Sequence, residues 1–489
     1  MILFINLNQR HQKDFVMNEL RPVMPPFGIA YLAAVLKRLS IKSILHDDNL
    51  HEYTDQQLTD LFEKYKGSIQ AIGLTSISTT LKQLWRIARL AKEALPDIPV
   101  IAGGPHARLA PEDIIKCPEV DIVFTSEAEL SISDYVLGKD LADIDGIYYK
   151  KDGKILKNEA SNYVRDLDDI PFPSYELFRI SDYHTTKGIA KRHPSSYIIT
   201  SRGCPHNCTF CSSKALNPTE DKRVRFRSPE NVVEEIEYIV KDHGVRELFF
   251  SDDMFTARTS HLVGICEGLI KRKLDLVWVC MTHVNHITTE KLRVMKKAGC
   301  HQVCFGVESG DPAIQKAINK NLDFEKVKSA VQMTHQEGID VRCSFMFGNQ
   351  YETPETMQRT IDLAKRLKPD FASFNIAAPY PGTFLRSWAM DNGFLENPNY
   401  EALDSTIYTI VTEDLPPGAV EEFCNKAFQS FYYNPMYILR RIAKINDMEE
   451  LLRVSKSALY AFKSLPIVTK SLLKKKQIRA TKRSKEIHF

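Results

Sequence analysis

Three cysteines, Cys204, Cys208 and Cys211, lie within Ser201-Arg-Gly-Cys-Pro-His-Asn-Cys-Thr-Phe-Cys-Ser212, just after the apolar run Tyr197-Ile-Ile-Thr200. Thiolates spaced C-x3-C-x2-C on one loop can hold three corners of an iron–sulfur cubane. The fourth iron of a [4Fe–4S] cluster would then stay open to another ligand. A structural zinc ion takes four protein ligands instead. No second cysteine pair with suitable spacing follows closely, and His206 is the one candidate inside the loop. A zinc knuckle and three unrelated thiols are the alternatives that these residues leave open.

Such a loop needs a scaffold, and residues 191–385 supply the pattern of one. Apolar runs suited to buried strands occur at Tyr197 to Thr200, Glu247 to Phe250, Val277 to Cys280, Gln302 to Phe305, Val341 to Phe347 and Phe371 to Ile376, with helical segments between. Ser228 and Pro229 make an N-cap and first-turn pair for a helix whose core face carries Val232, Val233, Ile236, Ile239 and Val240. Six βα units suit an open (β/α)6 barrel, whose site gathers at the carboxyl ends of the strands. Those ends carry Phe250-Ser-Asp-Asp253, Phe305-Gly-Val-Glu-Ser-Gly310, Phe347-Gly-Asn-Gln-Tyr-Glu-Thr353 and Ala378-Pro-Tyr-Pro-Gly-Thr383. The paired carboxylates at Asp252 and Asp253 could bind an amino group or a substrate, or cap a helix. Cys300 and Cys304 flank a strand, while Cys280 and Cys343 sit in apolar runs. All four read as small buried hydrophobes.

Residues 1–140 repeat the βα rhythm. Strand-like runs at Ile2 to Asn6, Ser43 to His46, Ala71 to Thr75, Pro99 to Ala102 and Asp121 to Phe124 alternate with helical patterns from Gly28 to Leu36 and Leu81 to Leu95. This predicts a doubly wound, Rossmann-like parallel sheet with ligand bound beyond its carboxyl ends. The turns there are Ser76-Ile-Ser78, Gly103-Gly-Pro-His106 and Ser126-Glu-Ala-Glu129. Paired glycines let a backbone approach a bulky ligand closely.

The cysteine loop, with Phe210 before its last cysteine and the ordered strand-end motifs after it, resembles the signature of the radical S-adenosylmethionine (SAM) enzymes. In that family the open iron chelates SAM, and an electron from the cluster cleaves it to methionine and a 5′-deoxyadenosyl radical. The resemblance implies that Cys204, Cys208 and Cys211 hold the cluster and that Phe210, Asp252, Glu308 and Ser309 contact SAM. Residues 1–140 resemble the cobalamin (B12)-binding domain that precedes many radical SAM modules. That likeness rests on Pro25-Pro-Phe-Gly28 ahead of Tyr31-Leu-Ala-Ala34, and on the later turns. It implies cobalamin contacts at Ser76, Gly103, Gly104 and Glu127. The D-x-H-x-x-G motif of the wider cobalamin family is missing: the chain reads Leu7-Asn-Gln-Arg-His11, and His11 is expected to be a loop histidine rather than a cobalt ligand. Radical hydrogen abstraction followed by methyl transfer to an unactivated carbon is the implied reaction. Cyclisation or ring rearrangement without methyl transfer, and a non-catalytic zinc-stabilised binding protein, are the rival readings. An electron donor such as flavodoxin or ferredoxin is the implied partner.

The 489 residues allow two to four domains, and 43% hydrophobic with 10% aromatic residues suffices for real cores. A net charge of +3 singles out no polyanionic partner. Met1-Ile-Leu-Phe-Ile-Asn-Leu7 is too short for a signal peptide, and no apolar stretch is long enough to span a bilayer. Ten cysteines without an export signal read as reduced cytoplasmic thiols. Residues 141–190 are expected to be a linker, with a hairpin at Ile147 to Ile155 turning at Asp152-Gly153 and an extended stretch from Asp168 to Ser174. Residues 386–489 should be mostly helical. Their aromatic stripe, Phe428, Phe431, Tyr432, Tyr433 and Tyr437, could cap the barrel mouth or serve as core. Lys470 to Lys485 holds eight Lys or Arg and no acid. It reads as a solvated tail or as a membrane-surface contact serving a lipid-linked substrate. No nucleic-acid partner is expected, because the tail lacks interleaved aromatics.

Overall fold

The computed structural model describes residues 1–9, 22–185, 190–217, 224–396, 398–400, 403, 408–445, 451 and 455. His11 and the basic segment 470–485 lie outside the described residues. Strands β1 (Ile2–Asn6), β2 (Ser43–Asp47), β3 (Ala71–Thr75), β4 (Val100–Gly103) and β5 (Ile122–Phe124) form a parallel sheet in the order β2-β1-β3-β4-β5. The strands are short apolar runs because both sheet faces are covered; all five residues of β1 are buried. Strand order reverses between β1 and β3, the topological switch point beyond which ligands of such sheets bind. The expected hairpin, β6 (Ile147–Lys151) and β7 (Lys154–Lys157), joins this same sheet antiparallel to β5. Its turn residues Asp152 and Gly153 both take the left-handed conformation that an Asp-Gly turn supplies.

The second sheet opens with β8 (Ser195–Ile198). The chain then makes a two-stranded ladder, β9 (Ser201–Arg202) with β10 (Arg225–Phe226), which brackets the cysteine loop. It returns as β11 (Glu247–Phe250), β12 (Val277–Thr282), β13 (Cys300–Glu308), β14 (Asp340–Phe347) and β15 (Phe371–Ile376). All six main strands are parallel and adjacent in chain order, and β8 and β15 form opposite edges, so the barrel is open. β8 ends before Thr200 because Thr200 N donates to Asp252 Oδ1 instead of continuing the ladder. β13 runs longer than its apolar core suggests. A register shift between Gly306 and Glu308 carries it onward and leaves Glu308 at φ 66°.

Helix Pro229–His243 forms as its sequence predicts. Ser228 Oγ accepts from Asn231 N, and Val232, Val233, Ile236 and Ile239 face the core. Helix Phe27–Arg38 serves two cores at once. Ile29 and Leu36 pack under the first sheet, while Phe27 and Tyr31 belong to the barrel core, where Phe27 meets Tyr175 edge-on. The two sheets are thus joined by shared apolar packing as well as by the chain between them.

The C-terminal region supplies helices Phe384–Asp391, Ala419–Tyr432 and Pro435–Ile442. Its aromatic stripe packs at the amino-terminal end of β15, away from the mouth. Tyr432 Oη donates to Ala372 O at 2.7 Å and Tyr437 Oη to Asp370 O at 3.0 Å. Asp370 also accepts from Arg441 and Lys444, which fastens helix Pro435–Ile442 in place. Cys280, Cys300 and Cys343 are buried in the barrel core.

Candidate active site

The cysteine loop leaves β9 at Arg202 and enters the short helix Ser213–Leu216. It is pinned by segments that follow β13, β14 and β15, so it lies across the barrel mouth. Thr209 N donates to Ile318 O at 3.1 Å, Asn319 Nδ2 to Asn207 O at 3.0 Å, Thr209 Oγ1 to Gln350 Oε1 at 3.2 Å, and Leu385 N to Thr209 O at 3.0 Å. Phe210 packs against the apolar cluster around Met346 and Phe347. The three thiols are free and partly exposed. Burial pushes Cys204 up to about 11 and raises Cys208. Such thiols lose their protons when a metal centre supplies compensating charge. Three soft sulfur donors on one pinned loop suit an iron–sulfur cubane. Among the described residues, no three His, Cys, Asp or Glu side chains converge as ligands of one metal ion would.

His206, inside the loop, stacks on His283 with ring centroids 4.5 Å apart, and His286 meets both rings edge-on. Burial lowers all three, His283 to about 3, so the stack is uncharged. Beside it Lys320 Nζ meets Glu308 Oε1 at 2.8 Å, with both side chains largely buried.

The strand-end carboxylates behave differently from one another. Asp252 is buried, and its Oδ1 accepts from Thr200 N, Thr200 Oγ1 and Ser201 Oγ. Burial pushes it to about 6 despite those bonds. Its reach is thus directed at the strand that launches the cysteine loop. Asp253 instead borders a cavity with Ser201, Gly203 and Ser251. Ser309 is fully buried; its hydroxyl accepts from Asp311 N and faces Thr360 Oγ1.

The turns of the first sheet are tied to one another. Ser76 N donates to Gly103 O, and His106 N donates to Ser76 O. Ser76 Oγ is buried with no hydrogen-bond partner. Gly104 has φ 96°, and a Cβ there would lie 2.7 Å from Thr75 Oγ1. At Gly103 an added Cβ would meet only Phe124 Cβ, at 4.0 Å, so this position opens onto space. Glu127 is engaged across the seam: its carboxylate meets Arg225, and Arg202 Nη1 at 3.1 Å. Burial alone would raise Glu127, but Arg225 and Arg202 hold it below the usual carboxylate range. Glu129 Oε1 takes Arg202 Nη2 at 2.6 Å.

A cavity of about 260 Å³ opens beyond β3, β4 and β5, with Gly73, Ile101, Gly103 and Phe124 among its walls. A second, of about 210 Å³, lies between the same seam and the strand ends at Ser251 and Asp253. They share Arg108, Glu127, Arg202 and Leu216 as walls and so adjoin, one reaching the turns of the first sheet and the other Gly203 and Ser213 beside the cysteine loop. An apolar slot walled by Thr75, Gly104 and Phe124 and open at Gly103 suits part of a large flat cofactor such as cobalamin. Arg108, Arg202, Arg225, Asp253 and Lys320 carry much of the local charge; sequence reasoning raised Asp253 only as half of a carboxylate pair and did not select the others. Only Arg202 and Asp253 stood inside quoted motifs.

The radical SAM superfamily model matches residues 198–364, and the B12 binding domain model matches residues 13–135. An uncharacterized methyltransferase of Pyrococcus horikoshii is 31% identical over 423 residues, spanning 86% of this chain and 90% of that protein. An anaerobic magnesium-protoporphyrin IX monomethyl ester cyclase of Rubrivivax gelatinosus is 28% identical over 433 residues, spanning 83% and 75%. Among solved structures, the radical SAM methyltransferase TsrM of Kitasatospora setae, with cobalamin and a [4Fe–4S] cluster, superposes with a TM-score of 0.65 at 18% identity, covering 80% of this chain and 74% of that one. The cobalamin-dependent SAM radical enzyme OxsB, with aqua-cobalamin and SAM, gives 0.71 at 17% identity, covering 95% and 71%. At these identities the structural likeness is one of fold.

Proposed function

The chain belongs to the B12-binding radical SAM enzymes, and from that membership we propose that it transfers a methyl group to an unactivated carbon of a small-molecule or lipid-linked substrate. The observation that carries this reading is the pair of adjoining cavities with Arg108, Glu127, Arg202 and Leu216 as common walls, one at the first sheet's turns and the other beside the cysteine loop. When bound, the cluster with SAM supplies a radical able to abstract hydrogen, and cobalamin supplies the methyl group.

In this reading Cys204, Cys208 and Cys211 hold the cluster, and the bonds from Ile318, Asn319, Gln350 and Leu385 fix their loop. Glu308 is the best placed of the four SAM candidates, since Lys320 holds its carboxylate beside the loop. Phe210 supports the loop from its apolar side. Asp252, whose Oδ1 is bound to Thr200 and Ser201, steadies the start of the loop, Ser309, engaged with Asp311 and Thr360, shapes its own turn, and Asp253 takes the wall position. Gly103 and Gly104 line the cobalamin slot, Ser76 sits buried behind them through its backbone bond to Gly103 O, and Glu127 contributes through its hold on Arg225 and Arg202.

Methyl transfer and ring formation are separated by the product. The full-length protein, reconstituted anaerobically with iron, sulfide and cobalamin, is given SAM labelled in its methyl group, a reductant and a metabolite extract. A product bearing the labelled methyl, together with 5′-deoxyadenosine, supports the proposal. A product lighter by two hydrogens and free of label supports cyclisation, the second reading, which the 28% identity to the cyclase favours. Stoichiometric zinc with no iron after reconstitution would overturn both.

The reaction needs a one-electron donor, and we assign a flavodoxin- or ferredoxin-type protein to that role. We place the enzyme in the cytoplasm, at the membrane surface. Among the described residues no helix is long and apolar enough to cross a membrane. Helix Pro435–Ile442 nonetheless turns Met436, Leu439 and Ile442 outward at 71%, 59% and 57% exposure. The lysine-rich segment 470–485 follows in the sequence. An apolar helix face followed by clustered basic residues suits an anionic lipid surface.

A further inference from the structure

Three guanidinium groups converge where the two cavities join. Arg202 is matched by Glu127 and Glu129, and Arg225 by Glu127. The third belongs to Arg108, on the short helix Pro105–Leu109 that follows Gly103-Gly104. Arg108 borders both cavities, and its guanidinium makes no hydrogen bond or ion pair with any described residue. Its surroundings are unfavourable for a lone cation. Burial lowers its pKa, with Glu127 pulling the other way. The glutamates nearby are committed, since Glu127 and Glu129 hold the other two guanidiniums, and the Asp253 carboxyl lies beside Ser213.

A guanidinium keeps its proton and presents five N–H donors in a rigid fork. Leaving that fork half-buried without acceptors costs free energy that a ligand can recover. The fork matches the paired oxygens of a carboxylate or a phosphate. Ser251, on the wall of the same cavity, offers a further contact to such a group.

We propose that Arg108 anchors an oxyanion, a carboxylate or a phosphate, carried by the substrate that lies across this seam. The substrate class is then an anionic small molecule, or a lipid-linked one with an anionic head. The inference rests on the preceding reading in so far as substrate occupies the adjoining cavities between the two cofactor regions. Cobalamin's phosphodiester and SAM's carboxylate carry the same chemistry, and they are the other sources to separate.

The test uses the full chain with inorganic phosphate as probe, read by phosphorus NMR line broadening. Wild type, Arg108→Gln and Arg108→Lys are compared without cofactors, with cobalamin, and with cobalamin plus SAM. The expected result is that wild type binds phosphate in all three states. Arg108→Gln should weaken binding on the order of tenfold or more, and Arg108→Lys should lie between. Three results would overturn the assignment. One is phosphate binding by Arg108→Gln equal to wild type. Another is binding abolished in wild type by cobalamin, with lower cobalamin affinity in Arg108→Gln, which assigns the fork to the phosphodiester. The third is loss of binding only when SAM is added, which assigns it to SAM. Formation of 5′-deoxyadenosine by wild type is scored separately, so failure of the radical reading and failure of this inference are told apart. Arg108→Lys keeps the charge and size and serves if Arg108→Gln does not fold.

Discussion

Arg202 Nη2 meets Glu129 Oε1 at 2.6 Å, so the residue two places before Cys204 is bound to the turn after β5 of the other sheet. Arg202 also reaches Glu127, which in turn holds Arg225 from β10, the strand paired with β9. Both strands of the ladder that brackets the cysteine loop are therefore clamped to the first sheet, at the paired residues Arg202 and Arg225. The two cofactor regions are held in register by one compact set of charges.

Removing the shared carboxylate should loosen that clamp. Glu127→Gln leaves Arg225 largely buried and short of its partner, a change that costs about 3 kcal/mol. The expected outcome is a lower thermal midpoint and faster limited proteolysis between residues 158 and 174, with the cluster still assembling. An unchanged proteolysis pattern would show that the apolar packing of helix Phe27–Arg38 suffices alone.

The cysteine loop gives the most direct chemical prediction. Replacing Cys204, Cys208 or Cys211 singly by Ala should drop iron after reconstitution from about four per chain to a small fraction and abolish 5′-deoxyadenosine formation. Cys304→Ala is the control, because that thiol lies on β13 outside the loop, and it should retain full iron. Iron analysis with cleavage assays under strict anaerobiosis decides between them.

How much of this was legible beforehand follows from the range of each signal. The C-x3-C-x2-C loop, the strands and the Ser228 cap are local patterns, and the structure reproduces them within a few residues. The Arg202–Glu129 and Arg225–Glu127 pairs join residues 73 and 98 positions apart, and nothing in either stretch names its partner. Which of Asp252 and Asp253 borders the cavity was equally out of reach, since adjacent residues on one turn face different ways. The stripe from Phe428 to Tyr437 declared an apolar helix face, but not that this face meets the amino-terminal end of β15.

Glu352 provides a pH test. Its Oε2 accepts from Gly348 N at 2.5 Å and Asn349 N at 2.9 Å, yet burial pushes the carboxyl up to about 8. The folded chain thus holds a proton that the unfolded chain releases in the ordinary carboxyl range. Stability from this group is complete below that range, declines as pH rises toward about 8, and is flat above. Wild type should lose on the order of a few kcal/mol more than Glu352→Gln between pH 5 and pH 8, measured by urea unfolding at each pH. Parallel curves for the two proteins would refute this account of Glu352.

Helix Pro435–Ile442 and the basic segment beyond it predict behaviour at a lipid surface. Full-length protein should sediment with anionic vesicles and much less with neutral ones, and deletion of residues 467–489 should release most of it. Salt should weaken the binding, because exposed charges are screened within about 8 Å at physiological ionic strength. Met436→Ser with Leu439→Ser should weaken binding without removing its salt dependence. Equal sedimentation of the deleted and complete chains would remove the basic segment from the account.

Two neighbouring glycines separate fold from cofactor binding. Gly104 takes φ 96°, and a Cβ there would stand 2.7 Å from Thr75 Oγ1 and 2.8 Å from Ser76 O, so Gly104→Ala strains the backbone and crowds the turn. It should cost about 1–3 kcal/mol of stability, and lost cobalamin binding there would be a consequence of misfolding. Gly103 carries no such restriction: it ends β4, and its Cβ position looks into the apolar cavity with Phe124 Cβ 4.0 Å away. Gly103→Leu should therefore leave the thermal midpoint near that of wild type, because the added side chain fills existing space. It should nevertheless reduce cobalamin affinity by tenfold or more, while cluster content stays intact. Cobalamin titration followed by absorbance, with melting curves on the same samples, reads both quantities. If Gly103→Leu binds cobalamin like wild type, the slot beyond β4 is not where the cofactor lies, and the adjoining cavities must serve the substrate alone.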